Sequence, residues 1–401
     1  MTVTAWAPVP PGSGFSLAHL PYGVFARPDQ APRCCVRVGD HVLDLSRVSV
    51  PHGADFAQPA LNAFMGRGRA AWTAARARVV ELLTDASFRD SVQAHLIPLA
   101  DVTLCLPWEV ADYVDFYSSR AHAENVGAIF RPDSPELPPS WKHLPIGYHG
   151  RAGTIVVSGT AVVRPCGQRK LVGDLAPSFG PSGRLDIEAE VGFVVGTGSA
   201  LGTRVAAGQL ADHVFGVVLV NDWSARDVQA WEYVPLGPFL GKSFATSVSA
   251  WVTPLEALTA ARVAASPQDR APLEYLDDPD PWALNLDLEV ELAGEVISRP
   301  PFATMYWTPG QQLAHLTSNG ASLRTGDLFA SGTVSGPGRG QRGSLLELSW
   351  GGLEPFMLAS GRSVTFLEDG DTVVLRAAAT AVDGSRLSLG EVSGTVHPSA
   401  P

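Results

Sequence analysis

Apolar and polar positions alternate in short runs over residues 20–50: Tyr22-Gly-Val-Phe25, then Cys34-Cys-Val-Arg-Val38, then His41-Val-Leu-Asp-Leu45. The Gly39-Asp40 dipeptide between the last two runs is a hairpin signal. From Ala60 the period becomes helical, with Leu61, Phe64, Met65, Trp72, Ala75, Val79, Leu82 and Leu83 on one stripe. This pattern predicts a small β barrel or roll carrying one long amphipathic helix. A strand over 102–106 is closed by Pro107, and beyond it polar and aromatic residues suited to chemistry become dense. We therefore expect two domains, 1–107 and 108–401.

The remaining two thirds alternates strands with Gly/Pro loops, and a proline-rich polar stretch over 267–281 reads as a surface connection. Val214-Phe-Gly-Val-Val-Leu-Val220 reads as a buried strand, and the segment after it, 221–243, satisfies neither helix nor strand period. Asp222 thus stands just past a rigid strand end, where functional residues concentrate. A second strand over 186–195 sets Asp186, Glu188 and Glu190 on one face, neighbours roughly 6 to 7 Å apart. Repulsion among them leaves two readings: a solvated strand face, or a cluster compensated by a cation or an arginine.

Asp115 lies in Asp112-Tyr-Val-Asp115-Phe-Tyr-Ser-Ser-Arg120 and serves either as a further carboxylate of that cluster or as an N-cap for the segment after it. Four converging carboxylates would make an all-oxygen site suited to Ca²⁺, Mg²⁺ or Mn²⁺ rather than zinc. The run 119–126 has helix-forming composition, with Gly127 as its stop. His122 sits on that helix near Asp115, Tyr117 and Arg131. A lone histidine is more often structural, and the chain has ten.

Composition narrows the class. The 401 residues are 45% hydrophobic with slightly positive mean hydropathy, enough for a sizeable core. Forty glycines and thirty-two prolines, scattered without period, indicate many turns between short strands, hence a mainly β (α+β) fold. A net charge of −11 excludes the basic surface that non-specific nucleic-acid binding needs. Four cysteines without a Cys-x-x-Cys spacing point to a reducing compartment, and no signal peptide or membrane-length apolar run is evident, so a cytoplasmic protein with no membrane partner is expected. Two near-motifs fail on spacing. Gly237-Pro-Phe-Leu-Gly241-Lys242-Ser243 is one residue short of a phosphate loop, and Gly196-Thr-Gly198-Ser-Ala-Leu-Gly202 misses the dinucleotide pattern by one.

At the same residues the chain resembles the fumarylacetoacetase family. The stretches that carry the resemblance are LPYGVF (20–25), NAFMG (62–66), DFYSSRAHAENVG (115–127), HLPIGYHGRAGTIVVSGT (143–160), NDWSARDVQAWEYVPLGPFLGKS (221–243) and SGTVSGP (331–337). They run from the N-terminal part almost to the C-terminus. The less typical segments, 167–183 and 267–281, carry no candidate site residue. The resemblance implies an N-terminal SH3-like barrel domain, a larger C-terminal mixed β-sandwich roll, and a homodimer. It implies that Asp115, Glu188, Glu190 and Asp222 bind Ca²⁺ or Mg²⁺, with a second Mg²⁺ at Asp222, Lys242 and Thr246, where Lys242 is expected to use its backbone carbonyl.

The implied reaction is hydrolysis of a carbon–carbon bond in a small β-diketo acid, 4-fumarylacetoacetate, in tyrosine and phenylalanine breakdown. His122 would deprotonate water and Glu347 orient it. Arg226, Gln229 and Lys242 would stabilise the oxyanion, although without the resemblance Arg226 and Gln229 read as a salt-bridged surface turn. Tyr117, Arg131, Gln229, Tyr233 and Thr333 would contact substrate, Arg131 being suited to a carboxylate. His143 and His149 are read as structural. Two alternatives are weighed: a related metal-dependent reaction on the same fold (acylpyruvate hydrolysis, oxaloacetate decarboxylation or dienoic acid hydration), and a catalytically silent scaffold. The N-terminal domain and the His122/Glu347 pairing favour the first reading.

Overall fold

The computed structural model describes residues 6–133, 136–170 and 173–400. Tyr22–Arg27, Gln30–Val38 and His41–Asp44 form the expected meander, with Val38 opposite His41 across the Gly39-Asp40 turn. Leu96–Pro98 and Thr103–Cys105 add to its two edges, completing a five-stranded antiparallel sheet. The helical stripe is buried at every position expected, yet it belongs to two helices, Asn62–Met65 and Arg69–Thr84. Gly68, with a left-handed φ of 85°, sets the start of the long helix Arg69–Thr84, and Leu61, Phe64 and Met65 lie on the short turn ahead of it.

Seven strands, in the order Gly147–His149, Tyr113–Phe116, Leu328–Ala330, Ala189–Val195, Val214–Asp222, Thr246–Val248 and Ile155–Val157, form a central mixed sheet, and Thr253–Pro254 pairs off it as an eighth. A further five-stranded sheet holds Glu295–Ser298, Asp287–Leu292, Thr372–Thr380, Arg386–His397 and Val162–Val163. Val191, Phe193, Val217 and Leu219 share a core with Leu288, Val290, Leu375 and Leu389 of this second sheet. Their alternates Val194, Val218 and Val220 pack instead with Val24, Val36, Leu61 and Met65 of the N-terminal part. The central strands are therefore covered on both faces, which is why they read as unbroken apolar runs.

Phe215 locks that second seam. Its ring lies 5.3 Å from Tyr22, 5.3 Å from Trp72 and 5.9 Å from Phe64. Removing such a ring costs on the order of 3–5 kcal/mol. Across the same seam Tyr22 and Val252 exchange both backbone hydrogen bonds, at 3.0 and 2.8 Å.

Several local expectations change. The helix after Asp115 runs Arg120–Phe130 and passes through Gly127, which keeps helical backbone and whose carbonyl accepts from Arg131. A glycine stops a helix only when it turns left-handed. The less typical 167–183 segment contains a hairpin, Cys166–Arg169 against Ser178–Pro181, while 171–172 lie outside the described residues, as do 1–5 of the N-terminal stretch scanned for a signal peptide. The 267–281 connection is mostly exposed, although Leu276 is buried. His143 and His149 are exposed, so they do not hold the core.

Candidate active site

Register brings the acids together. Asp115 pairs in parallel with Ala330, Ala330 with Gly192, and Glu190 with Val220, which places Asp115, Glu190 and Asp222 at one end of the central sheet. Glu188 precedes the Ala189–Val195 strand and its carbonyl accepts from the Asp222 N–H at 3.2 Å. One carboxylate oxygen from each of Asp115, Glu188, Glu190 and Asp222 lies within 4.8 Å of all the others, and all four side chains are buried. The solvated strand face is thus excluded. Asp115 is a strand residue, and the N-cap role falls to Ser119, which accepts from the His122 N–H.

Charge at this cluster does not balance. Asp115 Oδ1 and both oxygens of Glu190 are buried without a hydrogen-bond partner among the described residues. Burial, together with the neighbouring carboxylates, pushes the carboxyls of Asp115 and Glu190 well above the ordinary range. Burial also raises Asp222, against the pull of Lys242. Glu188 goes the other way: burial would raise it, but Arg226, Lys242 and His122 together hold it low. Unpartnered buried carboxylate oxygens in an all-oxygen set fit a hard divalent cation, which would let every member ionise.

Lys242 reaches in with its side chain. Its ammonium contacts Glu188 and donates to Asp222 Oδ2 at 2.7 Å, so the lysine is not limited to the backbone contribution expected of it. Thr246 Oγ1 donates to Asp222 Oδ1 at 2.9 Å, and the Tyr148 hydroxyl donates to Asp222 Oδ2 at 3.2 Å.

Arg226 opens the helix Arg226–Glu232 and is 3% exposed, which corrects the surface-turn reading. Its Nε donates to Asp186 at 2.8 Å, and its Nη2 stands 2.7 Å from Glu188 as an ion pair without hydrogen-bond alignment. Asp186 is therefore outside the cluster. The strand breaks after it, so the three acids do not share one face. Asp186 accepts instead from Arg226 and from the Leu345 and Leu346 N–H groups, at 2.7 and 3.0 Å, where the short helix Leu345–Leu348 begins.

That helix carries Glu347. Glu347 Oε2 lies 2.7 Å from His122 Nδ1 and accepts from Ser335 Oγ at 2.9 Å and Ser344 Oγ at 2.8 Å, while Oε1 accepts from Asn125 Nδ2 at 2.8 Å. Burial would raise the Glu347 carboxyl, but His122 and these donors hold it below the usual range. An ionised Glu347 makes Nδ1 the protonated nitrogen of a neutral His122 and leaves Nε2, 4.0 Å from Glu188 Oε1, as the basic one. Asn125, Ser335 and Ser344 were missed by the sequence reading. Asn125 stands three residues after His122 on one helix, and Ser344-Leu-Leu-Glu347 has capping-box spacing, so both signals were present.

A cavity of about 430 Å³ is lined by Asp115, His122, Glu188, Arg226 and Lys242. Tyr117, Arg131, Gln229, Tyr233 and Thr333 line it as well. Gln229 Oε1 accepts from Arg226 Nη1 at 3.1 Å, one helical turn apart. Tyr233 stacks on Phe130 at 6.4 Å, and the Thr333 hydroxyl is buried without a hydrogen-bond partner among the described residues. Gly332 sets the approach of Thr333: its φ is 76°, and a Cβ there would meet the Phe116 carbonyl oxygen at 2.1 Å. Of the expected site residues, Glu190, Asp222 and Thr246 do not line this cavity: Asp222 and Thr246 line a smaller one that shares Lys242 and Tyr148 with it, and Glu347 reaches the larger one through His122.

Two family profiles match this chain: "Fumarylacetoacetase N-terminal" over residues 18–107 and "Fumarylacetoacetate (FAA) hydrolase C-terminal" over 112–397. The chain is 46% identical to the fumarylacetoacetase of Homo sapiens over 414 residues, covering 98% of this chain and 99% of that one. The chain belongs to the fumarylacetoacetase family. Members at similar distance come from Caenorhabditis elegans, 47% identical with 97% of this chain and 98% of the relative covered, and Arabidopsis thaliana, 44% with 97% of each. The family's fold is shared with solved structures of low identity. A fumarylacetoacetate hydrolase from Exiguobacterium antarcticum superposes with TM-score 0.55 at 17% identity, covering 94% of this chain and 99% of that one. A maleylpyruvate hydrolase from Sphingobium gives 0.53 at 16%, covering 94% and 100%.

Proposed function

We propose that this protein hydrolyses the carbon–carbon bond of 4-fumarylacetoacetate to fumarate and acetoacetate, as the last step of tyrosine and phenylalanine breakdown. The observation that carries this reading is the full-length family match together with a His122–Glu347 pair set beside a cluster of four buried carboxylates, two of which, Asp115 and Glu188, line the cavity with His122. Asp115, Glu188, Glu190 and Asp222 would hold Ca²⁺ or Mg²⁺, and Asp222, Lys242 and Thr246 a second Mg²⁺. When bound, a divalent ion supplies positive charge that favours an enolate over its protonated ketone.

The chain's own residues supply the remaining steps. His122 Nε2 takes a proton from water while Glu347 holds the ring. The resulting hydroxide adds to the carbonyl beside the fumaryl group, and Arg226, Gln229 and Lys242 donate to the oxyanion. The carbon–carbon bond then breaks with its electron pair leaving on the acetoacetate side. The proton held by His122 completes that carbon, so one water is consumed and no charge is stranded. Arg131 pairs with a substrate carboxylate, and Tyr117, Gln229, Tyr233 and Thr333 orient the chain.

Residues 1–107 and 108–401 are read as an SH3-like barrel domain and a catalytic β-roll domain of a cytoplasmic homodimer. Val234, Leu236, Phe239 and Leu240, all exposed on one segment beside the cavity, support pairing of two copies. The deciding experiment follows the loss of fumarylacetoacetate absorbance with purified protein, beside acetylpyruvate and oxaloacetate. Preference for either competitor overturns the assignment.

A further inference from the structure

A second cavity, about 370 Å³, lies in the seam between the N-terminal helix Arg69–Thr84 and the central sheet. Its floor is aromatic and aliphatic: Tyr22, Trp72, Val214, Phe215, Pro254 and Leu255. Around this floor stand three arginines, Arg69, Arg76 and Arg262, and among the described residues that line it Glu256 is the one acid. The Val214–Asp222 strand begins at this cavity and ends at the carboxylate cluster. Eight steps of strand rise separate the two sites by about 26 Å.

Two groups here lack the partners their chemistry asks for. The Tyr22 hydroxyl is buried with no hydrogen-bond partner among the described residues, in a residue 2% exposed. The charges it feels are Arg76 and Glu256, both on the cavity wall. An orphaned buried hydroxyl costs roughly 1–3 kcal/mol unless something accepts from it. Arg76 is the other. Its guanidinium donates to the backbone carbonyls of Ala18 and His19, and among the described residues no carboxylate lies within ion-pair distance of it. Arg69 is shared with Asp212 at 3.2 Å, Arg262 lies over the Trp282 ring, and Glu256 accepts from Thr73.

We infer that this seam is a binding site for a small monocarboxylate with a flat apolar body, its carboxylate between Arg76 and Arg262 and its body on Trp72 and Phe215. Each terminal nitrogen of Arg76 gives one N–H to a backbone carbonyl, which leaves its charge and its remaining N–H groups for a carboxylate, and Tyr22 supplies a further donor. Glu256 disfavours a dianion, and the floor rewards burial of a ring or short chain. Cavities of this size hold ligands of that class.

The test titrates the full-length protein with 4-fluorobenzoate, followed by fluorine NMR, against the variants Tyr22→Phe, Arg76→Met, Arg262→Gln and Arg131→Leu. Tyr22→Phe removes only an unpartnered hydroxyl, so it folds, and it weakens binding about fivefold, the loss of one hydrogen bond. Arg76→Met and Arg262→Gln each weaken it about tenfold, as for a lost charge-assisted contact. Arg262→Gln keeps the test open should Arg76→Met unfold. Arg131→Leu, altered in the other cavity, leaves it unchanged. Four outcomes overturn the inference: no binding below ~10 mM, equal binding by uncharged 4-fluorobenzyl alcohol, affinity unmoved by the seam variants, or binding lost in Arg131→Leu.

Discussion

His122 Nδ1 and Glu347 Oε2 stand 2.7 Å apart although 225 residues separate them along the chain. Every other contact of the Glu347 carboxylate is a donor from Asn125, Ser335 or Ser344, so its position is over-determined and the imidazole inherits that rigidity. His122 has one nitrogen committed and the other open to the cavity.

If Nε2 is the base, His122→Ala lowers kcat by about 10²–10⁴ with melting behaviour close to the parent. Glu347→Gln lowers kcat as well, because a carboxamide no longer stabilises the imidazolium, and the two losses are far from additive when combined. Substrate absorbance and circular dichroism melting check both. Full turnover in His122→Ala would assign the proton to another group.

Asp186 carries a different burden. It pairs with Arg226 and caps the first N–H groups of the helix that holds Glu347, so one carboxylate positions residues on both sides of the cavity. Asp186→Asn leaves Arg226 with a weakened partner in a buried setting, where breaking a pair costs about 3–5 kcal/mol. The expected result is a lower melting temperature together with a fall in kcat that exceeds any change in KM. A variant with parent-like kinetics would limit Asp186 to packing.

The cation site makes a prediction of its own. Chelator-stripped protein should lose turnover, and added Ca²⁺ should stabilise it by about 2.7 kcal/mol at a hundred times its Kd. Glu188→Gln removes the acid that also neutralises Arg226 and Lys242, so calorimetry should show Ca²⁺ affinity lowered at least about tenfold. An unchanged calcium isotherm would place the ion elsewhere.

Much of the scaffold was legible in alternation alone. The meander around Gly39-Asp40 and the strand ending at Asp222 follow from runs whose burial matches their period. Convergence of the acids was not legible that way. Asp186, Glu188 and Glu190 have the two-residue spacing of one strand face, but the strand breaks at residues 187–188 and turns Asp186 toward Arg226, a tertiary choice that local period cannot register. Only the family resemblance selected Glu188 and Glu190 without Asp186. The stripe did not show where the long helix Arg69–Thr84 starts, since a run of apolar residues does not report that Gly68 will turn left-handed.

Stability toward acid should depend on His19, which lies in the seam far from the carboxylate cluster. The ring is fully buried, with Nδ1 2.9 Å from the Gly14 carbonyl and Nε2 3.0 Å from Thr253 Oγ1, so the neutral form has both nitrogens satisfied. Burial, with Arg76 and Arg37 nearby, lowers its pKa to about 3. In the unfolded chain it titrates near 6.5, so between these values the unfolded state binds the extra proton and stability falls as pH falls. This contribution is complete above pH about 6.5 and diminishes by about 3 kcal/mol on reaching pH 4. Other acids also titrate in that range. The measurement is therefore a difference: urea midpoints from pH 7.5 to 4 for the parent and for His19→Gln, at one protein concentration. His19→Gln should be less stable at pH 7.5 and should show a slope shallower by about one proton, 1.36 kcal/mol per pH unit. Parallel slopes would mean that His19 takes up its proton without leaving the folded state.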